Sequence, residues 1–83
     1  MNSKILVIDL HGFTRKVAKE YLYEELRKNI KKDIKTFKII HGFNRGSVIK
    51  DWLKSSKDLK ETFNVKEIMD DPSNSGSTYI ILN

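Results

Sequence analysis

His11 and His41 are the only histidines in this 83-residue chain, and each stands in nearly the same six letters. Residues 10–15 read LHGFTR and residues 40–45 read IHGFNR. Histidine is the side chain best suited to moving protons near neutral pH. Two histidines flanking one phosphate can serve as base and acid. On RNA, the base would take the 2′-OH proton and the acid would protonate the leaving oxygen, a route that requires no metal. Asp9 lies two residues before His11, so along a strand both point to the same side. Asp9 can then orient a ring, or Asp9, His11 and His41 can together hold a divalent metal such as Mg. A third arrangement is structural, with Asp9 and His11 only fixing the turn. Of the two histidines, His41 is expected to carry more of the chemistry, because its phrase opens directly onto a glycine-rich helix start.

The same two phrases offer a place for an anion. Gly42 and Gly46 let backbone N–H groups approach a ligand at the start of a helix, which suits a phosphate. Arg45 adds a guanidinium fork that fits phosphate oxygens. Phe13 and Phe43 follow the two turn glycines and can stack on a base or close the core. Ser47, Ser73, Ser75 and Ser77 read as caps, turn residues or hydrogen bonds to phosphate. Asp70 and Asp71 read as turn residues before they read as metal ligands. No Ser-His-Asp arrangement is evident.

These residues need elements to place them. Lys4–Leu10 (KILVIDL) is a short β-branched apolar run, the pattern of a buried strand. Thr14 is an N-cap candidate. From Arg15 to Lys32, Ala18, Leu22, Leu26 and Ile30 recur every four residues, with Val17 and Tyr21 beside them, which predicts a helix. Thr36–Ile40 is a second strand, Ser47–Leu59 a second helix, Val65–Met69 a third strand and Thr78–Leu82 a fourth. Asp70–Ser77 (DDPSNSGS) is a turn-rich loop with the only proline. The order β-α-β-α-β-β implies parallel pairing through right-handed crossovers, and an antiparallel last strand after a hairpin-like loop. The expected fold is an α/β (α+β) two-layer sandwich, a mixed four-stranded sheet with two helices, in one domain spanning residues 1–83. Both histidine phrases then leave the carboxyl edge of parallel strands, where open α/β sheets bind ligands. Neighbouring strands lie about 4.8 Å apart, so the two phrases can meet at one ligand. The Asp70–Ser77 loop leaves from the same edge.

Composition narrows the partners. The net charge is +5 and the pI about 9.5, which favours polyanions, chiefly nucleic acid. Arg27, Lys28, Lys31, Lys32 and Lys35 supply much of the excess, but they close the first predicted helix, where cations suit the dipole. No cysteine is present, which removes disulfides and thiolate chemistry and fits a reducing, cytoplasmic setting. No stretch has the length or apolarity of a membrane span.

Three motifs together carry a family resemblance. Asp9-Leu10-His11-Gly12 is a DLHG motif after the first strand. His41-Gly42-Phe43-Asn44-Arg45-Gly46 stands where an HGxGxG motif would follow the second. Asn74-Ser75-Gly76-Ser77-Thr78 is an N-x-G-x-T run before the last strand. Over about Lys4–Leu82 the chain resembles the Smr (small MutS-related) domain. The resemblance implies a fold like the C-terminal domain of a bacterial translation initiation factor. It also implies nucleic-acid binding, often with endonuclease activity on DNA or RNA, and in some members a link to RNA or ribosome processing. Two positions depart from the family pattern. Asn44 replaces the middle glycine, and asparagine is the best non-glycine at positive φ. The first helix opens on Arg15-Lys16 where acidic residues are usual, which opposes the dipole unless an anion sits there.

The candidate catalytic residues are therefore Asp9, His11 and His41. Candidate nucleic-acid contacts are Gly12, Arg15, Lys16, Gly42, Phe43, Asn44, Arg45, Gly46, Lys50, Asn74, Ser75 and Gly76. The expected partner is DNA or RNA, with the ribosome as a further candidate and no membrane. A nuclease leads, and a non-catalytic RNA- or ribosome-binding module is the alternative.

Overall fold

A computed structural model describes residues 4–42 and 46–83. The expectations placed on Phe43, Asn44 and Arg45, including the positive φ at Asn44, lie outside the described residues. The elements are β1 (Ile5–Asp9), α1 (Arg15–Ile30), β2 (Thr36–Ile40), α2 (Gly46–Ser55), α3 (Lys57–Thr62), β3 (Val65–Asp70) and β4 (Ser77–Leu82).

The four strands form one sheet in the order β1-β2-β4-β3. β1 and β2 pair in parallel, and β4 runs antiparallel to both β2 and β3. β3 therefore points the same way as β1 and β2, but β4 sits between it and them. The expected mixed sheet and its direction pattern are present, and β1 and β2 are direct neighbours.

Alternation along the strands sends one set of side chains under the helices. Ile8, Leu10, Phe37, Ile39, Ile80 and Leu82 from the sheet meet Ala18, Leu22, Leu26, Ile49, Leu53 and Leu59 from the helices in one core. The other sheet face is open: Ile5, Val7 and Met69 are exposed. This is a two-layer α+β sandwich. Phe37 and Leu22 are fully buried, so truncating either to alanine would cost about 2–5 kcal/mol.

Two helical expectations change. The helix predicted over Ser47–Leu59 is two helices, broken at Ser56. Ser56 has extended backbone, and its hydroxyl accepts from the Leu59 N–H at 3.1 Å. A serine able to cap a new helix outcompetes continuation of the old one. In α1 the buried stripe runs Ala18, Leu22, Leu26 and then Asn29, while Ile30, Val17 and Tyr21 are exposed. Asn29 satisfies its buried amide on the Glu25 carbonyl at 2.8 Å. Thr14 caps α1 as expected, accepting from the Val17 N–H. Tyr23 ties α1 to α3 by donating to Asp58 at 2.6 Å. Burial, reinforced by that carboxylate, pushes the Tyr23 hydroxyl up to about 12.

Candidate active site

β1 and β2 deliver the two histidine phrases to the carboxyl edge side by side. The Leu10 N–H donates to the Ile40 carbonyl at 2.7 Å, extending the parallel ladder past β1. The Phe13 N–H donates back to the Leu10 carbonyl at 3.1 Å and closes the first turn. Gly12 and Gly42 turn the chain with φ of 81° and 86°, a region open to glycine at no steric cost. At Gly42 there is a second constraint, because an added Cβ would sit 3.4 Å from the Cβ of His11. The two turns pack on one another there.

The phrases are alike in letters but not in register. Asp9 pairs with Ile40, so Leu10 is level with His41, and His11 with Gly42. The first copy thus overshoots the second by one residue. In a pleated strand a one-residue offset moves a side chain to the opposite face. Leu10 and His41 accordingly point inward and are buried, while His11 is exposed.

His11 and Asp9 form an accessible pair. The Asp9 carboxylate receives the ring Nδ1–H of His11 at 2.6 Å and its backbone N–H at 3.0 Å. The His11 side chain is 69% exposed and that of Asp9 51%. The hydrogen bond from the His11 ring, then that from its backbone, holds the Asp9 carboxyl below its ordinary value. An ionised Asp9 keeps the proton on Nδ1 and turns the Nε2 lone pair outward, the orientation a general base needs.

His41 is engaged on both nitrogens. Its Nδ1–H donates to the Gly42 carbonyl at 3.1 Å. In that neutral tautomer Nε2 accepts from the fully buried Thr78 hydroxyl at 2.9 Å. His41 does not join Asp9 and His11. Among the described residues no three His, Cys, Asp or Glu side chains group closely enough to hold a metal ion.

The third loop fastens the second turn. The Gly76 carbonyl accepts the N–H groups of both His41 and Gly42, at 2.9 and 3.0 Å. Asn74 accepts from the Gly76 N–H at 2.8 Å. Asp71, almost fully buried, accepts from the backbone and hydroxyl of Ser73 and from the hydroxyl of Ser77. Its other neighbour is the Lys38 ammonium at 3.4 Å. The two Ser73 bonds, with Ser77 and Lys38 behind them, hold the Asp71 carboxyl down to about 2.

Between the starts of α1 and α2 lies a cleft of about 400 Å³, lined by Gly12, Phe13, Thr14, Arg15, His41, Ser47, Val48 and Ile49. Both turns and both helix starts therefore border one hollow.

A family profile for the Smr domain matches residues 8–83. The chain belongs to the Smr domain family. It also shares its fold with the Smr domain of Thermus thermophilus MutS2. That crystal structure matches with a TM-score of 0.71 at 23% identity, covering 94% of this chain and 98% of the other. A comparison with curated proteins gave no match.

This Smr domain distributes the expected contact residues unevenly. Arg15 and Lys16 are exposed at the start of α1, and Arg15 lines the cleft. Gly12 and Gly42 shape the turns, and Gly46 opens α2. Lys50 is half-buried and lies 3.8 Å from Asp70, which also receives Lys54 at 3.0 Å. That places Lys50 in an ion cluster joining α2 to β3. Gly76 is buried and Asn74 spends its side-chain oxygen on the loop, leaving Ser75 exposed at the tip. The N-x-G-x-T run thus reads as architecture in which asparagine sets the turn, glycine holds the His41 loop and threonine meets the His41 ring. The roles of Thr78, Asp71 and Lys38 were not found by sequence reasoning. Thr78 was signalled only by its place in that run. For Lys38 there was no signal, since its partner is 33 residues away.

Proposed function

We propose that this Smr domain binds nucleic acid at the carboxyl edge of its sheet and cleaves RNA there, with His11 as general base. The observation that carries this reading is the exposed Asp9–His11 pair at 2.6 Å, with the basic start of α1 beside it. His11 Nε2 takes the proton of a ribose 2′-OH, and the 2′ oxygen attacks the adjacent phosphorus. The P–O5′ bond breaks, and the departing 5′ oxygen takes a proton from solvent. The products are a 2′,3′-cyclic phosphate and a 5′-hydroxyl. Asp9 orients the ring and balances the charge it gains. Arg15 and Lys16 supply cations for the phosphates.

This reading moves the chemistry from His41 to His11, because His41 is buried and fully hydrogen-bonded. The test is single-turnover cleavage of labelled RNA and DNA by wild type, His11→Ala and His41→Ala. His11→Ala should lose about 10²–10⁴-fold in rate on RNA while keeping its fold and its binding. Engagement of His41 favours one second reading, a non-catalytic RNA- or ribosome-binding module in the cytoplasm. Binding by wild type with no cleavage of either nucleic acid would select it.

A further inference from the structure

We infer that the cleft between the two turns holds one unpaired nucleobase of single-stranded RNA, stacked on Phe13, beside the phosphodiester presented to His11. The inference rests on the nucleic-acid reading above and specifies which part of the substrate the site grips.

The cleft has the wrong walls for a phosphate alone. Phe13, Val48 and Ile49 make its sides, with Thr14, Ser47 and the hydrogen-bonded His41 as polar groups and Arg15 as the cation. A bare phosphate loses hydration against apolar walls without recovering it. A base has apolar faces and hydrogen-bonding edges, which suits a hollow of about 400 Å³ with this lining.

Phe13 is already set for stacking. Its ring meets Tyr21 edge-on, with centroids 5.7 Å apart and planes at 80°. Phe13 is 38% exposed and Val48 57%, so both carry apolar surface that nothing in the described residues covers. Among the described residues, Phe13 in the first turn, Val17 and Tyr21 in the first two turns of α1, and Val48 at the start of α2 are large apolar side chains left exposed. Such a patch next to a polar site is the mark of a binding surface.

Charge and position complete the case. Arg15 borders the cleft, so the base-binding hollow carries a cation suited to the backbone that bears the base. Gly12 lines the cleft and is bonded to His11, so a nucleotide whose base enters the hollow from the edge can carry its phosphodiester round to His11 on the open side. A base inside a duplex is stacked on both faces and paired at its edge, and it cannot enter without being pulled out. The site should therefore prefer single strands and loops.

The test measures binding apart from cutting, using a short 2′-O-methyl RNA that lacks the free hydroxyl needed for cleavage. One central base is 2-aminopurine, whose fluorescence falls on stacking, and a matched strand is abasic at that position. Wild type should quench the probe and bind the abasic strand about 10-fold or more weakly. Phe13→Ala should lose the quenching and the discrimination, and Phe13→Trp should keep both, with circular dichroism confirming the fold of each. Val48→Trp, which fills the cleft from an exposed position, should also abolish discrimination. Equal affinity of wild type for intact and abasic strands would overturn the inference, as would unchanged quenching in Phe13→Ala. Tighter binding of the fully paired duplex would overturn it too. If base discrimination is present but ordinary RNA is not cut, the nuclease reading fails alone and the cleft stands.

Discussion

Two identical dipeptides, His11-Gly12 and His41-Gly42, end in opposite environments, and the cause is a single residue of stagger. His11 lies on the open side with a carboxylate behind it. His41 lies inside with Thr78 and Gly42 as partners. Their substitutions should therefore fail in different assays. His41→Ala removes the partner of a fully buried hydroxyl and leaves a hole beside it. We expect it to lose about 1–3 kcal/mol of stability, read by urea unfolding. A His41→Ala protein as stable as wild type would show that the Thr78 bond is dispensable. The DLHG and HGxGxG motifs announced both turns, and Asp9 two residues before His11 announced the pair. Which histidine faces solvent was not legible. That depends on strand register, set by side chains tens of residues apart, and a one-residue slip leaves every local pattern unchanged.

Among the elements, strands and turns were better signalled than the helical layer. KILVIDL, TFKII and TYIIL are apolar and β-branched, and each became a strand. The helix after Ser47 was read through Ser56 because the apolar spacing continues on both sides. The hydroxyl that restarts the helix is a tertiary choice between two satisfactory bonds. Ser56→Ala should cost about 0.5–2 kcal/mol, a loss that thermal unfolding can detect. Recovery by Ser56→Asp would identify capping as the cause. The Asp71 loop gives a pH signature. Its folded carboxyl is held to about 2 against an ordinary 3.8, so the unfolded chain binds that proton more readily. The stabilisation it contributes is present in full above about pH 4 and is lost as pH falls from there through about 2. Melting temperature measured across that range should fall more steeply in wild type than in Asp71→Asn, which should already be less stable at neutral pH. Parallel curves would mean that Asp71 contributes no acid lability.

On the scale of the whole molecule, the charge of +5 is not spread evenly around the site. Asp70 neutralises part of Lys50 and Lys54, and Asp71 takes Lys38. Arg15 and Lys16 stay exposed at the start of α1. A second hollow, on the outer side of α1, gathers Lys16, Lys19 and Arg27 but also Glu20 and Glu24, so it offers mixed charge. Binding to RNA should weaken as salt rises, because phosphate contacts release counterions. Arg15→Ala should lower the affinity and reduce the slope of log affinity against log salt by about 1. An unaltered slope would take Arg15 out of the footprint.

The strand order carries a consequence for how the domain comes into being. β4 is the last element in the chain and yet lies in the interior of the sheet, bonded to β2 on one side and β3 on the other. During synthesis, β1, α1 and β2 can assemble as a βαβ unit while β3 still has no neighbour. Only when β4 emerges do the two parts become one sheet. The same strand brings Thr78 to His41, and the residue before it, Gly76, fastens the second turn. Completion of the fold and completion of the site are therefore one event, timed by the emergence of β4. A chain halted at Asp70 should be open to proteases from α2 through β3, outside the βαβ unit, and adding residues 71–83 as a separate peptide should restore protection.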